Sequence, residues 1–265
     1  MQNRWDPKQA AEAGGDALAL RVYSSRLLGA EPDLVLHGGG NTSVKDRRED
    51  FFGEPSDLIF VKGSGWDLAT IEAPGFSPVR MGPLLKMAEL AELSDTDMVR
   101  EQRAAMTDPD APAPSIEAIL HAIIPGKFVD HTHADAVVAL TNNPTGEQRV
   151  RDLYGDRLLV VPYVMPGFIL AKTVHELARG VDWSALDGMV LMNHGIFTWG
   201  EDAKSSYDRM IELVTLAEGA LADCATASAE RAEEDGDLLA LASIRKAVSD
   251  RRGAAVLARW NPGPE

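Results

Sequence analysis

The chain has 265 residues, of which 45% are apolar and 25% charged, so it has the size and composition of a globular protein with one large domain or two small ones. Its net charge of −15 disfavours nucleic acid as a partner, although a local pocket can still bind a small phosphorylated molecule. With no apolar run near the ~18–20 residues that span a bilayer, no secretory signal and the single cysteine Cys224, we expect a cytoplasmic protein that binds no membrane.

The first 106 residues alternate between helical and strand patterns. Apolar side chains at helical spacing and stop signals such as Gly29 mark the helices, whereas short apolar runs mark the strands. The predicted elements are a helix at residues 16–28, strands at 34–36 and 57–61, a turn at 75–78, a helix at 83–93 and a partly helical stretch at 94–106.

A glycine-rich turn follows each of the two predicted strands. The first contains Gly38, Gly39 and Gly40, which disfavour a regular helix or strand and can present backbone N–H groups to an anion; a flexible hairpin turn is the alternative. The second, residues 62–65, reads KGSG. The two turns can face each other around one phosphate. Lys62 can supply a positive charge there, but a solvated lysine is the commoner role.

A helix is expected after the proline-rich loop at residues 107–114. Ser115 is the predicted N-cap, and Glu117 begins a helix that runs to about Ile124. His121 lies one helical turn after Glu117, on the same face. We interpret His121 as a packed or hydrogen-bonded histidine rather than a metal ligand.

The sequence FVDHTHAD at residues 128–135 contains two histidines at strand spacing. An extended strand places His131 and His133 on one face, where both imidazoles can bind one metal ion. His194, between an apolar run and Gly195, can add a third imidazole. Three imidazoles with open positions are typical of a catalytic metal site. We predict Zn²⁺ or another divalent transition metal; purely structural histidines are the competing interpretation.

The second half of the chain continues the alternation of helices and strands. The predicted elements are helices at residues 134–140, 146–154, 168–179, 203–225 and 238–248, and strands at 157–162, 189–192 and 196–199. Residues 226–236 are polar and acidic, and residues 259–265 are expected to fray. Short glycine turns between strands favour antiparallel neighbours, so we expect a mixed, mostly antiparallel sheet covered by helices.

The predicted metal and Glu117 together favour one type of chemistry. Proton abstraction next to a carbonyl, and the related retro-aldol cleavage, both leave a carbanion that a cation stabilises while a carboxylate moves the proton. The motifs HExxH and Gly-x-Ser-x-Gly are absent, which disfavours a zinc protease and a serine hydrolase. Lysine Schiff-base chemistry is the rival, but no lysine lies beside the histidine pair in sequence.

At these residues the sequence resembles the class II aldolase/adducin family. The similarity covers about residues 16–225 and rests on HGGGNTSVK, VKGSGWDL, PSIEAILHA, HTHAD and LMNHGIF in this order. It is greatest to the aldolase half of bifunctional rhamnulose-1-phosphate aldolase/alcohol dehydrogenase proteins. The dehydrogenase half is not expected here, because no GxGxxG follows residue 225.

The resemblance implies a three-layer α/β/α fold, a homotetramer and roles for particular residues. We expect a single domain over residues 1–265, with a core at about 16–225 and a helical extension at 226–265. The implied metal ligands are His131, His133 and His194, the implied catalytic residues Glu117 and Tyr163, and the implied phosphate-binding residues Gly40, Asn41, Ser64, Gly65 and Ser115. Tyr163 would donate a proton across a subunit interface. Ile116 replaces a serine found in the fuculose-phosphate branch, which removes one hydroxyl donor.

These expectations lead to a metal-dependent aldolase as the leading hypothesis. Its implied substrate is a ketose 1-phosphate, L-rhamnulose 1-phosphate, cleaved to dihydroxyacetone phosphate and L-lactaldehyde. A sugar-phosphate 4-epimerase of the same family is one alternative. A non-catalytic scaffold like the adducin head is another, although such domains typically lack the full metal set.

Overall fold

A seven-stranded mixed sheet lies at the centre of the computed structural model, which describes residues 1–224 and 238–257. The strands are β1 (Asn41–Glu49), β2 (Pro55–Lys62), β3 (Phe76–Arg80), β4 (Phe128–Thr132), β5 (Leu158–Val161), β6 (Gly188–Leu191) and β7 (Gly195–Gly200). Their order across the sheet is β3-β2-β1-β4-β7-β6-β5. All neighbouring strands are antiparallel except β5 and β6, which are parallel. The predicted mixed, mostly antiparallel sheet is therefore confirmed.

Helices from residues 1–224 cover both faces of this sheet. The helices are α1 (Pro7–Ala11), α2 (Ala17–Gly29), α3 (Met81–Glu89), α4 (Asp95–Ala104), α5 (Ala118–Ile123), α6 (Asp135–Thr141), α7 (Gly146–Tyr154), α8 (Phe168–Leu177), α9 (Ala203–Cys224) and α10 (Leu238–Arg252). Apolar residues of α3, α4, α5 and α8 pack on one face, and those of α2, α6, α7 and α9 on the other. The predicted three-layer α/β/α fold is confirmed.

The described residues fall into two compact units, Met1–Cys224 and Ala225–Glu265. The sheet and the helices α1 to α9 belong to the first unit, and α10 belongs to the second. The polar segment at residues 226–236 and the end that was expected to fray, residues 259–265, lie outside the described residues. The single domain expected over residues 1–265 stays a prediction. No helix within residues 1–224 and 238–257 is long and apolar enough to cross a membrane.

The strand predicted at residues 34–36 is wrong, and the true strand begins after the three glycines. Residues 32–34 form a turn, in which Leu34 N–H donates to the carbonyl of Glu31 at 3.0 Å. β1 instead starts at Asn41, and its sequence NTSVKDRRE lacks an apolar alternation. It is a strand because β2 and β4 flank it on both sides. The polar side chains at its start, Asn41, Thr42 and Ser43, are buried and hydrogen-bonded; Ser25 Oγ lies 2.8 Å from Thr42 Oγ1.

The turn predicted at residues 75–78 is also largely wrong, because β3 begins at Phe76. Pro78 lies within this strand and pairs with Phe60 of β2. A proline donates no backbone hydrogen bond, and it is tolerated here because β3 is an edge strand of the sheet.

β4 is buried at all five positions although two of its side chains are ionisable. Asp130 and Arg21 of α2 are both fully buried, and Arg21 Nη2 lies 2.6 Å from Asp130 Oδ1. Ser206 of α9 donates to the other carboxylate oxygen at 2.6 Å. The ion pair thus connects the central strand to two helices on the same face of the sheet.

We expect the variant Arg21→Met to lose about 3–5 kcal/mol of unfolding free energy, because it leaves the Asp130 carboxylate buried without a counter-charge. Urea unfolding followed by circular dichroism measures the change. Arg151→Met is the control: its ion pair with Glu147 is exposed, and such pairs contribute about 0–1 kcal/mol. Adding Asp130→Asn to Arg21→Met should restore part of the loss. Equal stability of the two single variants would contradict the assignment.

Candidate active site

Three histidines meet at one edge of the sheet. His131 is on β4, His133 lies just beyond the end of that strand, and His194 lies in the turn between β6 and β7. Because β4 and β7 are antiparallel neighbours, the end of β4 lies beside the start of β7. One nitrogen from each imidazole lies within 4.8 Å of the others. The three side chains are therefore close enough to hold a single ion.

The hydrogen bonding of the imidazoles fits such an ion. His131 is fully buried, and its Nδ1 lies 3.1 Å from the carbonyl of Ile196, so Nδ1–H donates and Nε2 carries the lone pair. Among the described residues, His131 Nε2 and His194 Nδ1 have no hydrogen-bond partner. Buried polar atoms almost always have one, and a divalent cation between imidazole lone pairs would satisfy His131 Nε2, whereas the His194 nitrogen that faces Glu117 is Nε2.

The turn that carries His194 depends on its two neighbours in sequence. Asn193 has a φ of 59°, and its side-chain amide donates to Asn142 Oδ1 at 2.5 Å. A side chain at Gly195 would place a Cβ 2.3 Å from the carbonyl oxygen of Thr132, so this position admits only glycine. These constraints explain why the histidine is embedded in the sequence NHG.

Glu117 lies beside the three histidines. Its Oε2 is 3.5 Å from His131 Nε2, and its Oε1 is 3.6 Å from His194 Nε2. The side chain is almost fully buried, and Asn41 Nδ2 donates to Oε2 at 2.7 Å. Glu117 is itself the N-cap residue of α5; Ser115, the predicted N-cap, instead accepts the Glu117 backbone N–H at 3.3 Å through its hydroxyl.

Burial controls protonation throughout this cluster. It raises the pKa of Glu117, against the opposing effects of His194 and the Asn41 hydrogen bond. It lowers the pKa of His131 well below its ordinary value of 6.5, and also lowers the pKa values of His133 and His194. The imidazoles are therefore neutral at pH 7, which is the form that binds a metal.

A cavity of about 310 Å³ adjoins the histidines and Glu117. The residues expected to bind phosphate all line it, namely Gly40, Asn41, Ser64, Gly65 and Ser115. Gly40 has a φ of 61°, and a Cβ there would come within 2.8 Å of the His131 carbonyl oxygen, so the first glycine turn approaches β4 closely. Tyr163 is half exposed and does not line the cavity.

Lys62 also lines the cavity, and the sequence-based view of it as a solvated lysine is wrong. The residue is only 3% exposed, and its Nζ donates to the carbonyl of Gly38 at 3.0 Å. Burial lowers its pKa, which the nearby Asp67 partly opposes. The sequence did contain a sign of this burial, because Lys62 lies directly between an apolar strand and the GSG turn. A buried ammonium group gains stability from an anion, so Lys62 gives the cavity a preference for negative charge.

His121 is fully buried beneath Asn41, and its ring nitrogens contact the side chains of Ser43 and Asn41. The prediction of a packed, hydrogen-bonded histidine is confirmed.

Known proteins resemble this chain over most of its length. Residues 20–221 match the family described as Class II Aldolase and Adducin N-terminal domain. Over 219 residues the chain is 39% identical to the uncharacterized oxidoreductase YuxG of Bacillus subtilis (strain 168), which covers 82% of this chain and 31% of that protein. The chain thus spans about a third of the length of this relative.

Solved structures share the fold. The N-terminal class II aldolase domain of a conserved protein from Thermoplasma acidophilum is 40% identical, with a TM-score of 0.76 over 83% of this chain and 99% of that chain. A sugar-phosphate aldolase from Thermotoga maritima is 17% identical, with a TM-score of 0.57 over 78% of this chain and 94% of that chain. The second likeness concerns the fold alone.

The histidine cluster predicts that His131→Gln weakens Zn²⁺ binding by more than the roughly 10–100-fold that loss of an outer-shell partner produces. Competition with a chromophoric chelator measures the affinity. The matched control is His175→Gln, since His175 lies on α8, outside the cluster, and its replacement should leave the affinity unchanged. Parent-like affinity of His131→Gln would remove His131 from the ligand set.

Proposed function

This chain belongs to the class II aldolase and adducin N-terminal domain family, and we propose that it is a metal-dependent aldehyde-lyase that cleaves a ketose 1-phosphate. The observation that carries the proposal is the convergence of His131, His133 and His194 on one point, with the buried Glu117 within 3.6 Å of two of them. A buried carboxylate beside three imidazoles that could hold a cation supports this proposal, because cleavage beside a carbonyl requires a proton carrier and a stabilising cation.

We assign the sugar as L-rhamnulose 1-phosphate. The Bacillus subtilis relative is described as an uncharacterized oxidoreductase, and this chain matches only about a third of it. A match to only part of a relative described as an oxidoreductase fits the resemblance to bifunctional proteins, in which an aldolase half is joined to a dehydrogenase half. The products would be dihydroxyacetone phosphate and L-lactaldehyde.

Different residues that line the cavity are proposed to donate hydrogen bonds to the phosphate and to balance its charge. Backbone N–H groups near Gly40 and Gly65, the amide of Asn41 and the hydroxyls of Ser64 and Ser115 are the proposed donors to the phosphate. Lys62 supplies the positive charge, so a phosphate can bind a chain whose net charge is −15. Ile116 lines the same cavity and offers no hydroxyl.

Cleavage requires that the bond between C3 and C4 of the ketose breaks, that the C4 hydroxyl loses its proton as the aldehyde forms, and that C3 gains a proton. Glu117 is the proposed proton carrier, because burial raises its pKa and so brings proton exchange closer to neutral pH. A divalent ion held by the three imidazoles would supply Lewis-acid stabilisation of the negative charge that develops next to the ketose carbonyl.

Tyr163 has a proposed role only in an assembly. It lies outside the cavity of its own chain and is 54% exposed. In the cytoplasmic homotetramer that we propose, the hydroxyl of this exposed side chain would reach the cavity of a neighbouring subunit and donate a proton there.

The decisive experiment measures dihydroxyacetone phosphate release from a panel of ketose 1-phosphates, before and after removal of the metal with a chelator. We expect cleavage that is lost with the metal and restored by Zn²⁺ or another divalent ion. Glu117→Gln, which keeps the shape but cannot carry the proton, should lower kcat by about 10²–10⁴-fold.

Product analysis separates this function from its alternatives. Free aldehyde indicates an aldolase, whereas a sugar phosphate changed only in configuration at C4 would indicate an epimerase. No turnover and no bound metal, after reconstitution with Zn²⁺, would leave a non-catalytic scaffold.

We expect Lys62→Met to raise KM for the phosphorylated ketose by about tenfold to a hundredfold, because a charge-assisted hydrogen bond contributes ~1.5–3 kcal/mol. The effect on kcat should be smaller. Competition by inorganic phosphate provides the control: it should inhibit the parent more strongly than the variant. Unchanged KM and unchanged inhibition would place the phosphate elsewhere.

A further inference from the structure

A chain of three side-chain contacts runs from the interior of the protein to Glu117. Ser43 Oγ lies 2.8 Å from His121 Nδ1, and His121 Nε2 contacts Asn41 Oδ1. Asn41 Nδ2 then reaches Glu117 Oε2 at 2.7 Å. Glu117 is 4% exposed, Asn41 7%, and the other two side chains are fully buried, so no solvent competes for the inner contacts.

The backbone fixes this chain on one face of the sheet. Asn41 and Ser43 are two residues apart on β1 and so point to the same face, towards α5. His121 and Glu117 are four residues apart at the start of α5, one helical turn from each other. β1 and α5 therefore contribute two polar side chains each, and the contacts alternate between strand and helix in the order Ser43, His121, Asn41, Glu117.

The imidazole in the middle of the chain is neutral. Burial, together with the smaller effect of the nearby cations of Lys45 and Arg21, lowers the pKa of His121 to about 3. A neutral imidazole has one N–H and one lone pair, so the two contacts of His121 must have opposite polarity.

When Glu117 is ionised, only one polarity lets every group in the chain bond. With the proton on Nε2, Ser43 donates to Nδ1, His121 donates to Asn41 Oδ1, and the Asn41 amide is free to donate to the Glu117 carboxylate. With the proton on Nδ1, Asn41 would have to turn its NH₂ group to His121. Its oxygen would then face a carboxylate oxygen, and two acceptors would meet in a buried site.

We propose that His121 is a positioning residue, which holds the Asn41 amide so that its N–H always binds Glu117 Oε2 and leaves Oε1 as the oxygen that carries the proton. Among the described residues Glu117 Oε1 has no hydrogen-bond donor, and it is the oxygen near His194. The inference rests on the proposed role of Glu117 as proton carrier. It adds that the two oxygens of this carboxylate are not equivalent, and that Ser43 and His121 set the difference.

The first test is independent of catalysis. Long-range ¹H–¹⁵N correlation NMR of the full chain, with and without Zn²⁺, reports which ring nitrogen of each histidine is protonated, and the signals lost in His121→Gln are those of His121. We expect a neutral ring with the proton on Nε2. A proton on Nδ1, or a charged ring at pH 7, overturns the proposal, because either state reverses or removes the donor to Asn41.

The second test asks whether the chain acts on turnover. His121→Gln keeps a donor and an acceptor at the end of the side chain, whereas His121→Leu fills similar volume without either. We expect the Leu variant to lose kcat by about tenfold to a hundredfold, as for a catalytic group displaced by about 1 Å, and the Gln variant to recover most of it. KM for the phosphorylated ketose should change less than kcat, because of the proposed phosphate-binding groups only the Asn41 amide shifts, whereas Lys62, the glycine turns and the two serine hydroxyls remain in place.

A serine pair provides the matched control. Ser43→Ala removes the donor to His121 and should lower kcat, whereas Ser24→Ala, which removes an equally buried hydroxyl bonded to the carbonyl of Leu20, should leave kcat unchanged. Urea unfolding verifies that each variant is folded under assay conditions. Equal kcat for the parent, His121→Leu and His121→Gln would contradict the positioning role of His121 and would leave the lyase function unaffected. If the parent cleaves no ketose phosphate, the lyase function fails, and the NMR experiment still decides the polarity of the chain.

Discussion

The structure depends on β4, a fully buried strand that carries an acid and an imidazole at adjacent positions. Asp130 and His131 point to opposite faces of the sheet because side chains alternate along a strand. An isolated charge or an unbonded polar group in such a place is strongly destabilising, so each face must provide partners. Arg21 and Ser206 provide them for Asp130. On the other face the Ile196 carbonyl holds one nitrogen of His131 and leaves the second directed at the active site.

The two faces therefore have different functions. The face with Arg21 anchors the central strand to α2 and α9, and its residues Arg21, Asp130 and Ser206 do not line the cavity. The face with α5 carries the polar groups that are proposed to act on a substrate. Adjacent residues of one strand thus belong to the two systems: Asp130 to the anchoring ion pair and His131 to the histidine cluster.

Much of the site was predictable because its signals are local in sequence. The i, i+2 spacing of His131 and His133 and the NHG turn around His194 follow from strand geometry and from a glycine that has no room for a Cβ. The fold class followed from alternating apolar patterns and short turns. The prediction of the first strand failed. Apolar periodicity is missing at the start of β1, because polar side chains buried there bond to α2 and α5. The predicted exposure of Lys62 was wrong for a related reason, because whether a lysine at a strand end is solvated or buried depends on the loop that packs over it.

The wrong predictions for β1 and for Lys62 share one physical cause. Thr42 and Ser43 of β1 and Lys62 of β2 are polar residues whose burial makes sense only once distant partners are known. Sequence patterns detect residues that avoid water, but they do not detect polar residues whose hydrogen bonds are completed inside the protein. Such residues have fixed directions, since a buried donor has few acceptors within reach. A carboxylate that must carry a proton at one defined oxygen requires this kind of surrounding. Asn41 and Ser43, in the strand whose start was hardest to predict, belong to the contacts that are proposed to orient Glu117.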